Sequence, residues 1–127
     1  KILDLGSGSG WQTALLCELV GEKGEIYAVE IIPELKELGG KNVLKYGYKN
    51  AKFFLAGEKL GLPQFAPFDK IVAAASAKEP PVKLLEQLKV GGTAVLPVKE
   101  SIFKYERLNK KNFSSKEFPG FVFVPLV

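Results

Sequence analysis

The sequence has no histidine, no methionine and a single cysteine among its 127 residues, and each shortage removes a class of chemistry. Without histidine there is no Ser-His or Cys-His nucleophile and none of the usual zinc constellations, so no metal is expected. A lone Cys17 cannot close an internal disulfide. Set among Ala14, Leu15, Leu16 and Leu19, it reads as a small buried thiol rather than a reactive one. Long apolar runs are missing too: stretches such as 71–77 and 121–127 fall far short of the roughly 20 residues that cross a bilayer. No signal-peptide pattern opens the chain, and a cytoplasmic protein with no membrane partner is expected. Basic clusters are equally scarce. The 18 basic and 14 acidic residues give a net charge of +4, but the lysines are spread along the chain and only Lys110 and Lys111 are adjacent. That pattern offers no stripe for nucleic acid.

What is present points to one globular domain over residues 1–127, since 46% of the residues are hydrophobic and the length suits a single core. Strand and helix signals alternate from the first residue, which implies an α/β fold with parallel strands joined by crossover helices. The spacing predicts strands at Lys1–Leu5, Glu25–Val29, Ala51–Ala56, Asp69–Ala75 and Thr93–Val98. Helices are predicted at Trp11–Val20, from Pro33 to about Gly47, and from Pro80 and Pro81 through Lys89. The pair Gly39 and Gly40 costs the second helix roughly 1 kcal/mol each relative to alanine. Beyond Ser101 the pattern changes to two short alternating segments, 102–109 and 121–126, read as an antiparallel pair that finishes the sheet.

In an open α/β sheet, ligands sit beyond the carboxyl ends of the strands where strand order reverses. Three acidic groups fall in that region. Asp4 precedes Gly6-Ser7-Gly8-Ser9-Gly10, a run whose small residues let a ligand approach backbone N–H groups and a helix N-terminus closely. The glycines stand at 6, 8 and 10 with Trp11 following, a spacing unlike the G-x-G-x-x-G of nicotinamide-dinucleotide folds. Glu30 ends the second strand, twenty residues after Gly10, where a carboxylate can accept bonds from both hydroxyls of a ribose. Glu58 follows the third strand and can meet an adenine amino group, or be an ordinary exposed acid. Asp4, in an otherwise apolar strand, needs a partner, either a backbone donor or the ammonium of a ligand.

These residues carry a resemblance. LDLGSGSGWQTALL, IYAVEIIPEL, APFDKIVAAASAKEPPVKLLEQLKVGGTAVLPV and FVFVPLV, in that order, are similar to protein-L-isoaspartate O-methyltransferases, a family of S-adenosyl-L-methionine-dependent repair enzymes. The resemblance implies a Rossmann-like class I methyltransferase sheet, mostly parallel with an antiparallel C-terminal pair and helices on both faces. It implies that Asp4, Gly6, Gly8 and Gly10 hold the methionine part of the cofactor, that Glu30 holds the ribose and that the 57–60 loop, with Glu58 and Lys59, meets the adenine, with Ser7, Ser9 and Ile31 counted among the cofactor-binding residues. Ala74, Ala75, Pro97, Val98, Val124, Pro125 and Leu126 would shape a groove for isoaspartyl peptides and proteins. Alternatives on the same fold are a methyltransferase with another acceptor and a non-catalytic cofactor-binding relative.

The family pattern is departed from at two places and begins before this chain does. Gly57-Glu58-Lys59 stands where the family usually has Gly-Asp-Gly, and Lys99 stands where it has glycine. The family also carries an upstream segment with a Ser/Thr-rich motif for the isoaspartyl group. The natural protein is therefore expected to begin before Lys1. Only three helices are visible for a sheet that needs both faces covered, which points the same way.

Overall fold

A computed structural model describes residues 1–126. The chain opens with β1 (Ile2–Leu5), α1 (Trp11–Val20), β2 (Ile26–Glu30), α2 (Pro33–Lys45) and β3 (Ala51–Leu55). A single 3-10 turn (Pro63–Phe65) leads to β4 (Phe68–Ala73) and α3 (Val82–Leu85), and β5 (Leu88–Val98), β6 (Ser101–Arg107) and β7 (Phe113–Pro119) follow. The strands form one sheet in the order β3-β2-β1-β4-β5-β6-β7. Pairing is parallel from β3 through β5 and antiparallel for β5-β6 and β6-β7. Order reverses between β1 and β4, so a crevice opens beyond their carboxyl ends.

β1 is central and buried along its whole length, which is why its apolar run shows little polar alternation. Its side chains nevertheless divide by period two. Ile2 packs with Cys17, Ile26 and Val43 beneath α1 and α2, whereas Leu3 and Leu5 join Tyr27, Phe68 and Ile71 on the opposite face. That second face carries little helix: the turn at Pro63–Phe65 and the single turn of α3 contribute Phe65, Leu84 and Leu85 to its core.

Two predicted elements differ. The helix expected through Lys89 is only α3, and β5 begins at Leu88, five residues before the predicted strand. Leu84, Leu85 and Leu88 are all buried, so their spacing mimics a helical stripe. Yet Leu88 pairs with Phe68 as a strand residue. Gly91 and Gly92 are not a helix cap; they lie in β5 beside the register shift between Phe68 and Lys70, with Gly91 at φ +85°. The last antiparallel strand is Phe113–Pro119, not 121–126. Its side chains are nearly all exposed at the sheet edge, so burial imposes no alternation on the sequence. The apolar segment 121–126 instead returns across the strand ends, where Pro125 forms an isolated parallel bridge with Ser76, just beyond β4, and Leu126 packs against the core.

Lys99 has φ +55° in the tight turn between β5 and β6, the one non-glycine residue with positive φ among the described residues. That backbone conformation explains why a glycine is expected there. Lys99 does not line the cleft described below. No helix among the described residues is long and apolar enough to cross a membrane. Cys17 is buried, as expected, and burial pushes its thiol up to about 11, with Asp4 adding to the shift.

Candidate functional site

The carboxyl ends of β1, β2 and β4 enclose a cleft of about 440 Å³, a volume in the range of small-molecule sites. Its first wall is the glycine loop. Gly6, Gly8 and Gly10 have φ of +75°, +54° and +87°, so the alternating spacing is a backbone requirement rather than a flexible linker. The amides of Gly6 and Ser7 both donate to the Val29 carbonyl, at 2.9 and 3.1 Å, which fixes the loop to the end of β2. A Cβ added at Gly6 or Gly8 would meet nothing within 4 Å. Both residues line the cleft, so their missing side chains leave open backbone facing it.

Glu30, only 5% exposed, forms the second wall. Its Oε2 accepts the Gly8 amide at 2.7 Å, and its Oε1 accepts the amides of Ile31 and Ile32 at 2.9 and 3.2 Å. Three of about four carboxylate acceptor positions are thereby filled by the chain, and one on Oε2 stays available to a ligand hydroxyl. The same carboxylate thus clamps the glycine loop and offers itself to the cleft.

Asp4 is fully buried but stands behind the cleft. Its partners among the described residues are side chains rather than backbone groups. Thr13 Oγ1 donates at 2.6 Å and Gln12 Nε2 at 2.9 Å, both from the first turn of α1. Burial raises its pKa, the two hydrogen bonds oppose the rise, and the charge of Glu30 adds to it. Asp4 therefore ties β1 to the start of α1 and holds the loop between them taut.

The third wall is 56–61, whose exposed residues include Glu58 and Lys59. Gln87, a buried residue that the sequence did not single out, pins this loop. Its Oε1 accepts the Leu62 amide at 3.0 Å and its Nε2 donates to the Leu60 carbonyl at 2.8 Å. Ala74, Ala75 and 124–126 close the far side. There the Ser76 amide donates to Val124 and the Leu126 amide to Ser76, at 2.7 and 2.8 Å.

Of the sequence-derived cofactor residues, Gly6, Gly8, Glu30, Ile31, Glu58 and Lys59 line one cleft, while Asp4, Ser7 and Gly10 are buried outside its lining and Ser9 is exposed outside it. Ser7 Oγ is buried without a hydrogen-bond partner among the described residues. Of the substrate residues, Ala74, Ala75, Val124, Pro125 and Leu126 face the same cleft. Pro97 and Val98 do not: both are buried in the sheet, where Pro97 accepts a backbone bond from Ala77. Leu5 and Leu60 add apolar lining, as do Val29, Ile32 and Leu35, which the sequence did not single out. Val29, Ile32 and Leu35 stand at the end of β2 and the start of α2, where their apolar character is indistinguishable from core.

The profile of the protein-L-isoaspartate(D-aspartate) O-methyltransferase family matches residues 1–127, the whole chain. The chain belongs to that family. Among curated members, the protein-L-isoaspartate O-methyltransferase of Ignicoccus hospitalis is 40% identical over 132 aligned positions, covering 100% of this chain and 62% of that protein. That of Dictyoglomus thermophilum is 44% identical, covering 99% and 57%. The chain thus spans about three fifths of the length of these isoaspartate methyltransferases. A solved protein-L-isoaspartate O-methyltransferase superposes with a TM-score of 0.89 at 26% identity, over 99% of this chain and 41% of its own. A second, from Plasmodium falciparum in complex with S-adenosyl-L-homocysteine, gives a TM-score of 0.80 at 22% identity, over 99% and 65%, and shows the fold.

Proposed function

We propose that the cleft binds S-adenosyl-L-methionine, with residues 1–127 acting as one cofactor-binding domain, and that the protein methylates the carboxyl group of L-isoaspartyl residues in damaged proteins. Glu30 carries the reading: a buried carboxylate at the end of β2, held by three amides and left with an open acceptor position, suits a ribose hydroxyl. Ile31 flanks it, the open backbone of Gly6 and Gly8 takes the methionine part, and Glu58 and Lys59 flank the adenine. Asp4, Ser7, Ser9 and Gly10, outside the lining, serve by shaping the loop. The family membership and the relatives' printed names support the substrate class.

When bound, S-adenosyl-L-methionine supplies a sulfonium methyl group. The chain's task is then to orient and shield. An isoaspartyl carboxylate has an unperturbed pKa of about 4 and is already ionised near neutral pH, so it needs no general base. The absence of histidine is therefore no obstacle. Ala74, Ala75 and 124–126, which line the same cleft, would hold a peptide against the reacting end. The gain comes from proximity, orientation and exclusion of water. Such chemistry requires neither metal nor nucleic acid, and a cytoplasmic setting belongs to the same proposal.

The test is radiolabelled methyl transfer from S-adenosyl-L-methionine to an isoaspartyl peptide and to its aspartyl twin, using the complete reading frame of the gene. Labelling of the isoaspartyl peptide alone is expected; equal labelling of both rejects the substrate assignment.

A further inference from the structure

Gly39 and Gly40 are a puzzle inside α2, because two adjacent glycines weaken a helix interior. The two positions are not equivalent. A Cβ on Gly40 would meet only the Phe53 ring, at 3.8 Å, an ordinary contact. On Gly39 it would strike the Gly8 carbonyl oxygen at 2.9 Å, the Phe53 ring at 3.3 Å and the Gly10 nitrogen at 3.4 Å. The approach is reciprocal, since a Cβ on Gly10 would meet the Gly39 carbonyl oxygen at 2.7 Å. The backbone of α2 therefore lies directly against the glycine loop. One turn on, Asn42 Nδ2 donates to the Ser9 carbonyl at 2.8 Å.

Gly8 is the shared point of contact. Its carbonyl faces Gly39, and its amide is the donor to Glu30 Oε2 at 2.7 Å. A side chain at 39 would push on a backbone unit whose other end is bonded to the carboxylate proposed to meet the ribose. We infer that Gly39 and Asn42 are positioning residues: α2 seats the glycine loop through them, and Gly39 sets, through Gly8, the direction of the Glu30 carboxylate. Neither residue lines the cleft, and neither touches the proposed ligand. The part that concerns binding rests on the cofactor reading above; the part that concerns the loop does not.

Gly39→Ala and Gly40→Ala in the 127-residue chain form the test, because both gain the same intrinsic helix propensity and only one crowds the loop. The first readout needs no ligand. The Gly8 amide resonance and its hydrogen-exchange rate are expected to change in Gly39→Ala, with exchange about tenfold faster, and to stay at parent values in Gly40→Ala. The second is calorimetric affinity for S-adenosyl-L-homocysteine, expected to fall about tenfold in Gly39→Ala, equivalent to ~1.4 kcal/mol, and to change less than about twofold in Gly40→Ala. In a Glu30→Gln background the Gly39→Ala effect on affinity should shrink, the non-additivity expected of residues acting through one contact. Asn42→Ala, which removes only the tether to Ser9, gives a readout even where Gly39→Ala does not fold: faster exchange of the Ser9 and Gly10 amides is expected.

A Gly8 amide that is unmoved by Gly39→Ala, or moved equally by Gly40→Ala, overturns the inference, as do unchanged loop amides in Asn42→Ala. If the parent chain binds no S-adenosyl-L-homocysteine while the Gly8 amide responds to Gly39→Ala alone, the cofactor reading fails and the positioning role stands.

Discussion

Replacing Glu30 by glutamine separates the two tasks given to this carboxylate. The substitution keeps the size of the side chain and removes its charge, but it turns one acceptor oxygen into an NH2 donor. If the remaining oxygen keeps the Ile31 and Ile32 amides, the NH2 faces the Gly8 amide, and the shortest of the three bonds, at 2.7 Å, is replaced by two donors in opposition. Hydrogen bonds to charged groups contribute about 1.5–3 kcal/mol, and Glu30 is buried enough that little of this is lost to solvent. A destabilisation of about 2 kcal/mol is therefore expected in the ligand-free chain, or roughly 8 °C in melting temperature at ~4 °C per kcal/mol for a domain of this size. Affinity for S-adenosyl-L-homocysteine should fall in addition, by about ten- to hundredfold, from the lost charge-assisted acceptor. Thermal unfolding with and without ligand reads both effects. Glu58→Gln, on the exposed opposite lip, is the control and should leave the ligand-free melting temperature unchanged. A Glu30→Gln chain as stable as the parent would refute the clamp on Gly8, and one that binds as tightly would refute the contact with ribose.

Gln87→Leu leaves the Leu62 amide and the Leu60 carbonyl without their partners, so a loss of about 2 kcal/mol and faster amide exchange at 60–62 are expected; unchanged exchange there would show that the loop does not depend on Gln87. At Lys99, held at φ +55°, glycine should be tolerated or stabilise slightly, while valine should cost more than about 1 kcal/mol. Chemical denaturation orders the three, and a valine variant equal to the parent would contradict the left-handed turn. Cys17, with its folded pKa raised to about 11 by burial first and Asp4 second, binds its proton more tightly folded than unfolded. Its contribution is full below the unfolded value and declines as pH rises toward 11, because the folded state then holds more protons than the unfolded one. Cys17→Ala should flatten the fall in stability above about pH 9. The native thiol should also resist a disulfide reagent at pH 8, where rapid labelling would count against its burial.

Much of this architecture is legible in the sequence because the strands near β1 have local causes: apolar runs ended by glycine loops, and helices with clear starts at Trp11 and Pro33. What escaped was non-local. The stripe of Leu84, Leu85 and Leu88 satisfies a helix as well as a strand, and only pairing of Leu88 with Phe68 decides between them. β7 escaped because an exposed edge strand has no burial pattern to reveal. Glu30 and the glycine spacing were legible from position alone. The support behind them was not: Gln87 meets its loop 25 residues away, and the reason for Gly39 lies in Gly8 and Gly10, on the other side of β2. The polar pair Gln12 and Thr13 was the one available signal that Asp4 would be satisfied from α1.

The most direct measurement is an amide chemical-shift map of the 127-residue chain titrated with S-adenosyl-L-homocysteine. The largest saturable shifts are expected at Gly6, Gly8, Ile31, Ile32 and 57–61, with the β6-β7 hairpin silent. Absence of saturable shifts, or shifts centred instead on the second hollow around Glu22, Lys49 and Asn50 at the opposite end of the strands, would contradict the placement of the cofactor.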